Sequence, residues 1–156
     1  MLVLLGIAVV VAGFVARLNP LAVILAAAVV TGVAASFGPG MGPAELLAAA
    51  HRLKRADMAP DKVEEWEHFH ACFHRTLVAP CGSAWLLRFI AQLHDQFDRY
   101  RRMAPEAPEV RRVLDAQHGE LVELALERDI KSARALMDDH IQRSYQVALQ
   151  GVLSPA

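Results

Sequence analysis

Charge stops abruptly in this chain, and that constrains its folding more than any other feature. The first 39 residues contain one charged side chain, Arg17, and no acid, whereas the other 15 of its 16 Lys and Arg and all 17 Asp and Glu come later. A stretch without charges cannot present a solvated face of its own, so the two parts of the chain must solve burial differently. Leu2 to Ala16 is an unbroken run of apolar residues and glycine. Arg17-Leu18-Asn19-Pro20 interrupts it, and Leu21 to Phe37 is again apolar apart from Thr31 and Ser36. This predicts an apolar helical hairpin. Seventeen helical residues rise about 25 Å against a hydrocarbon core of about 30 Å, so residues 2–37 have the length for membrane insertion across a thinned bilayer. A cleaved signal peptide fits less well, because no basic segment precedes Leu2 and a second apolar run follows at once. His51, Arg52, Lys54 and Arg55 lie beyond the second run, against one arginine in the turn. That bias predicts an inner-membrane chain with its C-terminal domain in the cytoplasm, or a cytoplasmic chain if the hairpin does not insert.

Gly38-Pro39-Gly40-Met41-Gly42-Pro43 is a breaker cluster, which divides residues 1–39 from a domain over 43–156. No later segment alternates with period two. Leu46, Leu47, Ala50 and Leu53 recur at helical spacing over 43–56, as do Val63, Trp66, Phe73 and Leu77 over 61–79. After Pro80-Cys81-Gly82, Ser83 is a good N-cap for a third helix reaching about Met103, with Leu86, Leu87, Ile90, Leu93 and Phe97 as its stripe. A fourth helix over 109–128 turns Val113, Leu114, Leu121, Leu124 and Ala125 inward. Asp129 caps a fifth, which carries Ala133, Leu136, Met137, Ile141 and Tyr145. Trp66, Trp85 and Tyr100 are read as core. The expected fold is all-α, an antiparallel helical bundle preceded by the apolar hairpin. Its charge is nearly balanced, so direct DNA binding by this chain is not expected. Cys72 and Cys81 lack the paired spacing of a metal ribbon and are read as reduced thiols.

His70 and His74 are four apart on the second helix and share a face. His118 and His140 each fall among inward residues of the fourth and fifth helices. Buried imidazoles need partners, and neutral imidazole suits divalent transition metals, so His70, His74, His118 and His140 form a candidate metal set. His68 and His94 are read as outward or supporting, and Asp115 and Glu120 as lying off the face of His118.

Phe73-His74-Arg75-Thr76-Leu77, Cys81-Gly82-Ser83-Ala84-Trp85-Leu86-Leu87, Asp98-Arg99-Tyr100-Arg101, His118, Asp129 with Ala133, and His140-Ile141 occur in that order. Together they resemble the FCD effector domain of GntR-type transcription regulators, nearest to a glutarate-responsive subgroup. The resemblance implies a ligand-sensing homodimer, not an enzyme, in which a divalent metal held by an acid and three histidines takes a carboxylate effector. Here His70 stands where the family usually has an acid. Imidazole in place of carboxylate leaves the ion its full charge, which favours zinc or nickel and an anionic ligand. Arg99 or Arg102 would then hold a second carboxylate of a small organic acid. The winged helix that normally precedes this domain is not expected in residues 1–39. Leu4 to Ala35 resembles instead the start of a small membrane subunit of predicted 5-oxoproline or carboxylate permeases. Two alternatives stay open: a membrane subunit fragment of a carboxylate transporter, and a metallohydrolase using metal-bound water.

Overall fold

The computed structural model of the protein describes residues 42–56, 61–103 and 108–153. These form five α-helices: α1 (Pro43–Arg55), α2 (Val63–Val78), α3 (Ala84–Arg102), α4 (Pro108–Glu127) and α5 (Ile130–Leu153). No strand occurs among the described residues. The hairpin expected over residues 1–39 lies outside them. Among the described residues, no helix is long and apolar enough to cross a membrane.

Local chemistry explains where the helices begin and end. Pro43 opens α1 with its φ already fixed, while Glu45 reaches back to accept a hydrogen bond from the Gly42 N–H at 2.7 Å. After α2, a single 3-10 turn over Ala79–Cys81 leads to Gly82 at φ 67°, a left-handed conformation that glycine adopts without a Cβ penalty. Ser83 Oγ then accepts from the Leu86 N–H at 3.3 Å and starts α3. Between α4 and α5 the chain turns within two residues. Arg128 takes φ 60°, the Asp129 N–H reaches the Leu124 carbonyl, and Asp129 accepts from the Ser132 N–H at 3.0 Å. So tight a turn folds α4 and α5 back on each other as a helical hairpin. The other packed pairs are α1 with α2 and α4, and α3 with α2 and α5.

The core takes Leu46 and Leu53 from α1, Trp66, Phe73, Leu77 and Val78 from α2, Leu121, Val122 and Ala125 from α4, and Ala133, Met137 and Ile141 from α5. Ile90 alone is fully buried on α3, and the rest of its expected stripe is half-buried. Four expected core residues on α3, α4 and α5 are exposed. Val113 is 42% exposed, because the buried positions of α4 begin only at Gln117. Tyr145 is 39% exposed, because the buried stripe of α5 runs from Ile141 past half-buried Ser144 to Ala148. Trp85 is 71% and Tyr100 50% exposed, and Phe89 on the same helix and Met103 just after it are exposed as well. Phe73, with no exposed surface, packs against the site described next. Replacing it with alanine should lower unfolding free energy by about 3–5 kcal/mol, whereas Trp85→Ala should change it by less than about 0.5 kcal/mol. Denaturant titrations followed by far-ultraviolet circular dichroism would check both, and equal effects would refute this assignment of the core.

Candidate metal centre

α2 presents His70 and His74 one turn apart, α4 presents His118 and α5 presents His140. All four are buried, and one ring nitrogen of each lies within 4.8 Å of the others. The rings contact one another around this point, His70 to His74 at 4.5 Å and His118 to His140 at 4.7 Å between centroids. The two imidazoles of α2 face each other through Nε2 atoms 3.1 Å apart. Phe73 packs edge-on against both His74 and His118, closing the cluster from the core side.

Three of the four imidazoles have a polar group from outside the cluster near a ring nitrogen. The Gln117 side-chain oxygen lies 3.1 Å from His140 Nδ1, and Gln117 in turn donates to Asp139 at 2.6 Å. Nδ1 of His140 is therefore the protonated nitrogen, which leaves Nε2 a lone pair. Asp115 Oδ1 lies 4.0 Å from His118 Nδ1, closer than its expected placement off that face; Glu120 is exposed. His118 Nε2 is buried with no hydrogen-bond partner. An orphaned imidazole nitrogen facing three other imidazoles is costly as apolar packing and fits a metal ligand. Tetrahedral ligation with metal–nitrogen bonds of about 2.0–2.1 Å separates the nitrogens by about 3.3 Å, close to the spacing of the α2 pair. The residues present therefore fit a divalent transition ion.

His70 carries a conflict that the sequence did not reveal. Arg101 Nη1 lies 3.5 Å from His70 Nδ1, and a guanidinium only donates. In that arrangement Nδ1 accepts and Nε2 holds the proton that faces His74. Ligation through Nε2 requires the opposite tautomer, and so requires Arg101 to release Nδ1. Arg101 has other partners to hold it: Asp98 Oδ1 at 2.8 Å, Glu67 Oε1 at 3.3 Å, and the Trp66 ring, whose centroid lies 4.8 Å from the guanidinium carbon. Trp66 in turn stacks on His70 at 4.6 Å.

The arginines proposed from the sequence are placed differently. Arg99 is exposed, and Arg102 pairs with Glu67 at the rim with half its side chain in solvent. Arg101, between them, is the one that reaches the cluster. His94, read as outward or supporting, lies 5.3 Å from the His70 ring and 5.7 Å from that of His74, with Nδ1 3.4 Å from Asp98 Oδ2. His70, His94 and Asp98 form a second convergent group, although Arg101 already occupies the Asp98 carboxylate. The signal for His94 was available in principle, since it lies four residues after Ile90 on the inward side of α3. His68 is exposed, as expected.

Comparison with known proteins places these residues in a family context. The family model for the FCD domain matches residues 18–143, starting inside the segment read as a hairpin. The HTH-type transcriptional regulator BphR of Paraburkholderia xenovorans (strain LB400), itself uncharacterized, is 33% identical over 112 residues, 69% of this chain and 46% of that protein. The HTH-type transcriptional repressor GlaR of Escherichia coli (strain K12) is 32% identical over 121 residues, 73% of this chain and 55% of that protein. The chain thus spans about half the length of these curated relatives. No solved structure gives a significant match. The comparisons lend no support to the permease resemblance of the N-terminal segment or to its membrane placement.

Burial is the main force on the titration of the cluster. It lowers His118 to about 3 and His140 to about 4, with charge repulsion from His140 adding to the first; on His140 the nearby Asp139 opposes the shift. His70 and His74 are lowered by burial and then by each other or His118. An unfolded chain takes up protons near the ordinary histidine value while the folded one does not, so folded stability is complete above that value and is lost as pH falls. The melting temperature of the metal-free protein should fall markedly from about pH 7 to about pH 5. A scanning-calorimetry profile flat across that window would refute the burial of neutral imidazoles.

Proposed function

Because the chain belongs to the FCD domain family of GntR-type regulators, we propose that residues 43–156 form a homodimeric sensing unit that binds a small organic acid through a divalent transition metal. Domains of this family are regulatory and not enzymatic, which sets the metallohydrolase alternative aside. The observation that carries the metal reading is the convergence of four buried imidazoles around an unpartnered His118 Nε2. In this reading His74, His118 and His140 supply three nitrogens with lone pairs, and His70 supplies the fourth when Arg101 withdraws. Zinc or nickel suits an all-nitrogen set better than magnesium or calcium does. Bound by His74, His118 and His140 while Arg101 still holds His70, such an ion would supply a positive charge and an open fourth position for a carboxylate oxygen. Gln117 fixes the His140 ring, and the Glu67–Arg101–Asp98 network ties α2 to α3 beside the ligands, so occupation of the site is coupled to the packing of those helices. The transporter alternative has no comparable observation behind it.

The test is the metal content of the full chain purified without chelator or added metal. Mass spectrometry should find about one zinc or nickel ion per chain, lost in the His118→Ala/His140→Ala double variant while circular dichroism shows both proteins helical. Wild-type protein that is well folded and metal-free, and stays so after incubation with zinc, would end this reading.

A further inference from the structure

A pocket opens beside the cluster, and its lining says what kind of acid it accepts. Three imidazoles of the cluster and His94 line it together with Ile90 and Phe97 from α3 and Met137 and Ile141 from α5, and Ser144 brings a hydroxyl. The enclosed space is about 40 Å³ and opens to solvent at its mouth, so a ligand there would have to be small. Among the described residues, no Lys or Arg lines it. The three nearby arginines are engaged or turned elsewhere: Arg101 is held by Asp98 and Glu67 over Trp66, Arg102 pairs with Glu67, and Arg99 is exposed. The residues outside the described segments contain a single further cation, Arg17.

We infer that the effector is a monocarboxylate with a short apolar tail, its carboxylate at the imidazoles and its tail against Ile90, Phe97, Met137 and Ile141. The inference rests on the metal-dependent sensing reading above and narrows its ligand. A carboxylate at the imidazole end would meet the bound ion, the one positive charge that the described residues would bring into the pocket, since Arg101 reaches only the outer nitrogen of His70. A second carboxylate at the far end would face four apolar side chains and one hydroxyl, and a charge buried without a cation is strongly disfavoured, whereas an alkyl end gains by leaving water. The dicarboxylate expected from the sequence relied on Arg99 or Arg102, and neither lines this pocket.

Pentanoate and glutarate separate the two cases, since they share a five-carbon chain and differ in whether the far end is methyl or carboxylate. Isothermal titration calorimetry on the zinc-loaded full chain should find pentanoate at least about tenfold tighter than glutarate. Ser144→Arg places a guanidinium at the pocket wall and should reverse the order. If that variant fails to fold by circular dichroism, the wild-type comparison alone decides. Zinc bound with glutarate as tight as pentanoate, or with neither acid binding, would overturn this inference and leave the metal reading standing. Failure to take up zinc would end both.

Discussion

Four imidazoles share one dry point in the bundle, and much of the surrounding structure follows from keeping them neutral, oriented and out of water. Burial of that many polar rings without hydrogen bonds to solvent is unfavourable, and each additional charge would repel the rest. The packing meets this in two ways. Phe73, Leu121 and Met137, all with no exposed surface, exclude solvent on the core side. Gln117, Asp115 and Arg101 meet the ring nitrogens that face outward. The ring nitrogens that face inward have mainly one another, and at His118 the inward nitrogen has no partner. A site that satisfies its outer half and leaves its inner half open is built for an occupant.

α3 stands apart from the other helices in this scheme. It contributes one fully buried residue to the core, yet it supplies His94, Asp98 and Arg101 to the rim and Ile90 and Phe97 to the pocket. Trp85, Phe89 and Tyr100 on it, and Met103 just after it, are exposed to solvent. Ile90, with half-buried Leu86 and Leu87, packs it on the core, and polar contacts through Arg101 join it to α2 beside the site.

Much of this was legible in the sequence because helical periodicity and breakers are local signals. Pro43, Ser83 and Asp129 each start a helix where their chemistry predicts, and the i, i+4 spacing of His70 and His74 put them on one face before any fold was known. His118 and His140 were placed inward by their apolar neighbours. The arginine was harder. Arg99, Arg101 and Arg102 fall within one turn at the weakly patterned end of α3, and sequence alone does not choose which of three directions faces α2. The ring-turning role of Gln117 was equally hidden, since its partner, His140, is on another helix. Val113 and Tyr145 failed for a related reason: periodicity gives the phase of a stripe, but not where along the helix the neighbouring layer ends or how wide the stripe is.

The absence of any carboxylate from the four buried imidazoles has a thermodynamic consequence. Imidazoles already neutral at physiological pH release no proton when an ion arrives, so the cluster would gain the whole positive charge of a divalent ion in a poorly polarisable interior. An anion entering from the pocket would relieve that charge, and the ion would do the same for the anion. Linkage makes the two effects equal: whatever factor the metal adds to the affinity for the acid, the acid adds to the affinity for the metal. Such a domain would report the coincidence of a metabolite and an available metal ion, with each setting the concentration at which the other is felt.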